Sequence, residues 1–326
     1  MGGMSRQTQA AAFPPDRFYC LLDELPLHLI PQRARRLLHA TGNREPLYLN
    51  PACSVTPADQ IPEDFLSCQD LLAGFALQGT IAWVRESGCL LPFWIGPEIE
   101  RLLQGLQANE PVPSDTASPD VRAVLVAAKI LVPSMNAPDS SQEQLNKAAV
   151  LFQQKGYAPL SDLIHPFHLA ALRRYCRHLI RSGAIQLGDG QTPLRYRAHN
   201  EPVARFFHHQ IAQKLSSIAG EPLKPSYVYF GSYLAGAELK KHLDREQCEF
   251  SVTFCLDFSP EPRLATPWPI SLETPTGTVT VYQSLGDGLA YRGTRLPHYR
   301  AKLGEGQTST SMFFHYVRQD FSGSLV

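Results

Sequence analysis

His242, Leu243 and Asp244 form an H-x-D, and a further histidine, His298, stands well downstream in a segment rich in glycine and arginine. Two imidazoles and one carboxylate can hold a divalent metal by one face and leave the other face open to substrate and oxygen. His242 and Asp244 lie two apart, so in extended backbone their side chains leave the same side of a sheet and can grip one ion. His298 must then arrive from another strand. A bare H-x-D is common in turns and on surfaces, so the assignment depends on what surrounds it.

The surrounding sequence is strand-like. Tyr233, Gly236 and Leu239 bring the chain round a glycine turn into the first ligand pair. From Cys248 to Asp257, Phe250, Val252 and Phe254 alternate with Ser251, Thr253 and Cys255, the pattern of a half-buried strand. Trp268 to Leu272 and Thr278 to Tyr282 are two short strands joined through Glu273-Thr-Pro-Thr-Gly, a hairpin turn. Gly286-Asp-Gly interrupts before Leu289 to Arg292, with Asp287 read as a turn residue, and Thr308 to Val317 is the last strand. Closely spaced short strands predict an antiparallel sandwich or small barrel containing the ligands.

With those residues in place the chain resembles the iron(II)- and 2-oxoglutarate-dependent oxygenases, in their prolyl-hydroxylase-like branch. The likeness rests on Tyr233, Gly236, Leu239, His242 and Asp244, then Gly286, Asp287, Tyr291, Gly293 and His298, and covers roughly residues 145 to 320. It implies an α+β fold whose core is a double-stranded β-helix (jelly-roll, cupin-like) buttressed by helices. It also implies one Fe(II) held by His242, Asp244 and His298, with 2-oxoglutarate and O2 as cosubstrates and ascorbate as a candidate reductant. The reaction implied is decarboxylation of 2-oxoglutarate to succinate coupled to hydroxylation of an unactivated C–H. Some relatives replace the aspartate by a small residue and halogenate; Asp244 is present, so hydroxylation is the expectation.

The chain departs from the family at the cation that grips the far carboxylate of 2-oxoglutarate. The corresponding stretch is Gln307, Thr308, Ser309, Thr310 and Ser311, without a charge. A buried carboxylate needs a partner, since leaving it unpaired costs several kcal/mol. Arg300 is the best substitute: two residues beyond His298, it faces the same interior in a continuing strand and its fork suits a carboxylate. A solvated arginine beside Lys302 is the opposing reading. Arg292 and Arg295 are weaker candidates, and Tyr233 and Thr308 can add hydroxyl hydrogen bonds. His315, in the final strand, is read as a hydrogen-bonded core histidine.

Composition bounds the rest. Across 326 residues, 30 basic and 30 acidic side chains cancel, so bulk affinity for nucleic acid is not expected. Seven cysteines without paired spacing suggest free thiols in a reducing compartment, hence a cytoplasmic protein. The start Met-Gly-Gly-Met-Ser-Arg is not followed by an apolar stretch, which argues against a secretory signal, and Arg6 stands where a myristoylation motif wants a hydroxyl. Val121 to Val132 is short and carries Arg122 and Lys129, so no membrane span is expected there.

The front half reads as a mainly helical N-terminal domain, residues 1–140. Its helices are expected at Glu63 to Leu77, from Gly96 to Leu106, and at Asp120 to Leu131, with a short β segment among them. Pro133 to Glu143 reads as a linker, and residues 141–326 as the catalytic domain. The front half is a scaffold, a homodimerisation surface or a substrate-recognition module; a faint likeness to winged-helix leader-peptide binders points to a peptide. His165 to Ser182 and Pro202 to Ala219 are helices, the first with Arg173, Arg174, Arg177 and Arg181 on a face expected to be solvated. His208 and His209 are adjacent on a helix and make a poor metal pair. Two further functions stay open: a cupin-like metal-binding sensor or binding module that has lost cosubstrate, and a zinc hydrolase with the same ligands. The substrate expected of the oxygenase is a peptide side chain or a small amino-acid-like molecule.

Overall fold

The computed structural model describes residues 13–38, 46–63, 70–86, 88–133, 140–190 and 192–326. Its first part contains β1 (Leu47–Leu49), β2 (Cys53–Pro57), β3 (Thr80–Glu86), β4 (Cys89–Ile95), α1 (Pro97–Gln104), β5 (Pro111–Val112), α2 (Pro119–Ala127) and β6 (Leu131–Val132). The second part runs α3 (Ser140–Lys155), β7 (Tyr157–Leu160), α4 (Pro166–Arg181), β8 (Gln186–Leu187), β9 (Arg195–His199), α5 (Pro202–Ala219), β10 (Leu223–Tyr233), β11 (Leu239–His242), β12 (Phe250–Ser259), β13 (Ile270–Thr274), β14 (Gly277–Val281), β15 (Gly288–Arg292), β16 (His298–Arg300) and β17 (Thr308–Arg318).

From β10 onward, consecutive strands are dealt between two antiparallel sheets. The larger has the order β7-β15-β12-β17-β10-β9-β8 and the smaller β11-β16-β13-β14. The four strands β10, β12, β15 and β17 thus face β11, β13, β14 and β16, and every strand presents alternate residues to the space between the sheets. Ile270, Leu272, Leu289 and Leu296 belong to a small apolar cluster there. α4 and α5 cover the outer face of the larger sheet. His208 of α5 stacks on Phe314 and bonds the His315 carbonyl through Nε2 at 2.7 Å, which accounts for that histidine structurally.

Several expectations change. β12 is buried on both faces, not one, because helices cover the side that alternation alone would leave wet. The arginine face of α4 is solvated only at its end, where Arg181 is exposed. Arg173 is fully buried and pairs with Asp257 (2.9 Å) and Glu261 (2.8 Å), Arg177 grips the other oxygen of Asp257 at 2.6 Å, and Arg174 lies over the Tyr19 ring. Asp257 stands at a register shift of β12, which turns its carboxylate outward to the helix.

The front half carries more sheet than a mainly helical domain would. β2-β3-β4 and β5-β1-β6 are three-stranded antiparallel sheets, and the α-helices among the described residues before 134 are the short α1 and α2, beside three short 3-10 turns. Ile81-Ala-Trp-Val and Leu90-Leu-Pro-Phe-Trp-Ile are unbroken apolar runs too short for helices, and they pair as a buried hairpin. Of the helix expected at Glu63 to Leu77, residues 64–69 lie outside the described ones; the remainder is a single tight turn followed by a bridge from Phe75 to Phe18. Residues 134–139 of the expected linker also lie outside. One buried cluster joins Phe18, Trp83 and Trp94 to Phe167, Phe206 and Phe314, so the core is continuous across residue 140.

Candidate metal centre

β11 and β16 pair antiparallel with His242 directly opposite His298, which sets the two imidazoles 4.3 Å apart between ring centroids. Asp244 follows the end of β11, and its N–H donates to the Gly293 carbonyl at 3.0 Å. Asp244 Oδ1 lies 3.7 Å from His242 Nε2 and 3.5 Å from His298 Nε2. One donor atom from each of the three falls within 4.8 Å of the others. The sequence-predicted trio therefore converges.

The imidazoles are oriented to be ligands. His242 donates Nδ1–H to the Lys240 carbonyl (2.8 Å) and His298 to the Leu296 carbonyl (3.0 Å), leaving both Nε2 lone pairs aimed at Asp244. Burial lowers the pKa of His298 and favours the neutral, metal-competent form, against the pull of the Asp244 charge. The donor set, two neutral imidazoles and a carboxylate on one side, fits a divalent transition metal with open positions. Asp244 is itself held: Ser251 Oγ donates to Oδ2 at 2.8 Å and accepts from His315 Nδ1 at 2.9 Å. Burial takes the His315 pKa down to about 4, so that ring is neutral too. His315 is thus a core histidine, but one wired to the metal carboxylate. Tyr291 places its hydroxyl 3.4 Å from His298 Nε2.

Arg300 occupies the same inward face as His298 and is buried. Its Nη1 donates to the Trp268 carbonyl (2.6 Å) and Nη2 to Gln283 Oε1 (3.1 Å), whereas Nε has no partner. Among the described residues no carboxylate is in ion-pair contact with it, and burial pulls its pKa down. The solvated reading of Arg300 is therefore wrong. Thr253, inward on β12, has a buried hydroxyl without a partner, and its carbonyl accepts from Gln283 Nε2. A buried cation and a buried hydroxyl with spare donors are costly unless an anion meets them.

Tyr233 lines the cavity beside the trio, and its hydroxyl accepts from Arg195 Nη1 at 3.0 Å. Thr308 does not join it. Phe313 and His315 point into the cavity, so Thr308 has the opposite phase, shared with Phe314, and pairs with Ser259 at the far end of β17. Seven residues from His315, it is roughly 20 Å along the strand. Arg292 has the phase opposite to Tyr291 and lies over the Phe152 and Phe250 rings. Sequence reasoning missed Ser251, Thr253, Gln283 and the tyrosines Tyr227 and Tyr229. Counting alternation from Ser251 would have put Thr253 on the ligand face.

The cavity in front of the trio measures about 420 Å³ and is lined by Tyr227, Tyr229, Tyr233, Tyr291, Phe313 and His315, with Arg195 buried in its wall and Arg245 exposed at its mouth.

No family model matches the sequence, and no curated protein matches it. Among solved structures the chain is similar to the α-ketoglutarate-dependent epimerase SnoN from nogalamycin biosynthesis, with 15% identity over 54% of this chain and 83% of that one at a TM-score of 0.46. It is similar to a Pseudomonas putida prolyl-4-hydroxylase at 15% identity over 54% of this chain and 99% of that one, TM-score 0.45. For AviO1 from Streptomyces viridochromogenes Tue57 the identity is 19%, over 55% and 97%, at a TM-score of 0.45.

Proposed function

We propose that the chain is an Fe(II)- and 2-oxoglutarate-dependent dioxygenase that hydroxylates an unactivated C–H of a small amino-acid-like molecule or a peptide side chain. The observation that carries this is the convergence of His242, Asp244 and His298 with both Nε2 lone pairs directed at one point. The strand order, in which strands from β10 to β17 alternate between the two sheets except for the β13–β14 hairpin, supports a double-stranded β-helix.

His242, Asp244 and His298 would hold the ferrous ion, which when bound supplies the oxygen activation that protein side chains lack. Arg300 meets the distal carboxylate of 2-oxoglutarate, with the Thr253 hydroxyl as a second donor. Ser251 fixes Asp244 so that Oδ1 stays turned to the metal, and His315 fixes Ser251. Tyr291 offers an O–H donor beside the coordination site, and the aromatic walls limit water. The binding-module reading drew on a missing cation; an unpaired Arg300 beneath the site argues for retained cosubstrate binding.

The packing of the described front-half residues, such as Phe18 and Trp94, against α4 and α5 suits a scaffolding role. Six described cysteines are free, in keeping with a cytoplasmic location, and none of the described helices is long and apolar enough to cross a membrane.

The test is anaerobic addition of Fe(II) and then 2-oxoglutarate, followed by visible spectroscopy. Wild type should develop the weak charge-transfer band of the chelate; His242→Ala should lack it, and Arg300→Ala should show it only at much higher 2-oxoglutarate. Metal binding without a band in wild type overturns the oxygenase reading.

A further inference from the structure

The cavity mouth carries a second arginine that the metal chemistry does not use. Arg245 follows the ligand Asp244 directly, lines the cavity, and donates from Nη2 to the Tyr227 hydroxyl at 2.8 Å. No carboxylate among the described residues forms an ion pair with it, and the neighbouring Asp244 is committed to Ser251 and the two ligand histidines. Its position is preset. Tyr227 is pinned by Cys248 Sγ at 2.9 Å and sandwiched between His199 and His315, each 4.7 Å away by ring centroids. Tyr229 and Phe313, register partners on β10 and β17, continue the same sheet face beside this stack, 6.4 Å apart by ring centroids. The result is an aromatic sheet face lining the cavity beside Asp244, with the cationic fork of Arg245 at its edge.

Charge bookkeeping points the same way, and here the argument rests on the oxygenase reading. A divalent metal with Asp244 leaves one positive charge, Arg300 adds another, and dianionic 2-oxoglutarate cancels both. Arg195 is paired with Asp189. Arg245 is then the cavity cation left for the substrate. A planar fork favours a carboxylate, and an aromatic surface favours a flat ring.

We infer that the substrate is a small ring-bearing carboxylate, its ring against the aromatic face that Tyr229 and Phe313 present to the cavity and its carboxylate on Arg245. Specificity for the anion resides in Arg245, outside the metal and cosubstrate positions.

The test uses zinc-loaded, 2-oxoglutarate-bound protein, which binds without turning over, and two matched probe pairs: phenylacetate with phenylacetamide, and indole-3-acetate with indole-3-acetamide. Affinities are read by calorimetry and saturation-transfer NMR. Wild type should favour the acid over its amide by about 10-fold or more in at least one pair. Arg245→Gln should abolish that preference, and Arg245→Lys should retain part of it, as a point charge without the fork does. Equal binding of acids and amides, binding of neither, or an undiminished preference in Arg245→Gln overturns the inference. Zinc and 2-oxoglutarate affinities are measured on the same samples. If those fail, the oxygenase reading falls; if they hold and the preference is absent, only the anion assignment falls.

Discussion

Gly293 approaches Asp244 so closely that a β-carbon on it would stand 2.3 Å from Oδ2, and 2.4 Å from the Cys248 carbonyl. Gly293, one of the residues that carry the family resemblance, is therefore required by the seating of the Asp244 carboxylate, not by backbone dihedrals. Gly293→Ala must displace Asp244 or the 248 backbone. Metal affinity should fall by at least about 10-fold, as for loss of a ligand-orienting contact, in a chelator-competition titration. Unchanged affinity in a folded Gly293→Ala protein would sink this account.

Ser251→Ala removes the hydroxyl that links Asp244 Oδ2 to His315 Nδ1. The expected loss of metal affinity is roughly 10- to 100-fold, with Ser251→Thr recovering part of it. Cobalt(II) absorption would follow both the affinity and the ligand geometry.

Arg300→Gln should uncouple cosubstrate from metal. In wild type, saturating 2-oxoglutarate in the presence of zinc should raise stability by about 3 kcal/mol at a hundred times Kd, read as an increase in Tm. In Arg300→Gln the same concentration should give almost none of that increase, with zinc affinity kept. Retention of the full shift would move the carboxylate anchor elsewhere.

Asp257 faces two arginines, one of them fully buried. Asp257→Asn keeps the shape but leaves Glu261 as the one carboxylate on Arg173, so unfolding free energy should drop by about 1–3 kcal/mol. Urea denaturation gives the value; a loss below about 1 kcal/mol would return these arginines to the solvated class.

Two buried histidines make the protein acid-labile. His165 donates Nε2–H to the Ala127 carbonyl while its Nδ1 accepts from Phe167 N–H, which only the neutral ring can do. His168, buried against Phe93 and bonded to the Pro92 carbonyl, is likewise neutral. Burial lowers their pKa values to about 4 and about 3. In the unfolded chain both take up protons near pH ~6.5, so their stabilisation is complete above that pH and is lost as pH falls toward the folded values. Between pH ~6 and ~4.5 the pair should cost roughly 3 kcal/mol per pH unit. His168→Gln should lessen the slope of Tm against pH; an unaltered slope would count against His168 as a source.

The sequence by itself determined which three residues would converge, the strands that carry them and the helices behind them. Those features are local: two ligands at spacing two on an extended segment, alternation along Phe250 to Phe254, and proline-to-glycine punctuation of α5. Arg300 as the interior cation followed from the same period-two rule. That rule failed for Thr308 because it was not applied there: the phase of the last strand is set by His315, and Thr308 falls on the other side. Only the tertiary structure decided what lies on both sides of β12, why the arginines of α4 turn inward to Asp257, and that the front half pairs as sheets. Each depends on a neighbour distant in the chain, and burial of a charge or of a second strand face is a property of what packs against it. The wiring of Asp244 through Ser251 to His315, and the aromatic sheet face beside Arg245, are likewise three-dimensional facts, since strands far apart in sequence become adjacent only when the sheet closes its register.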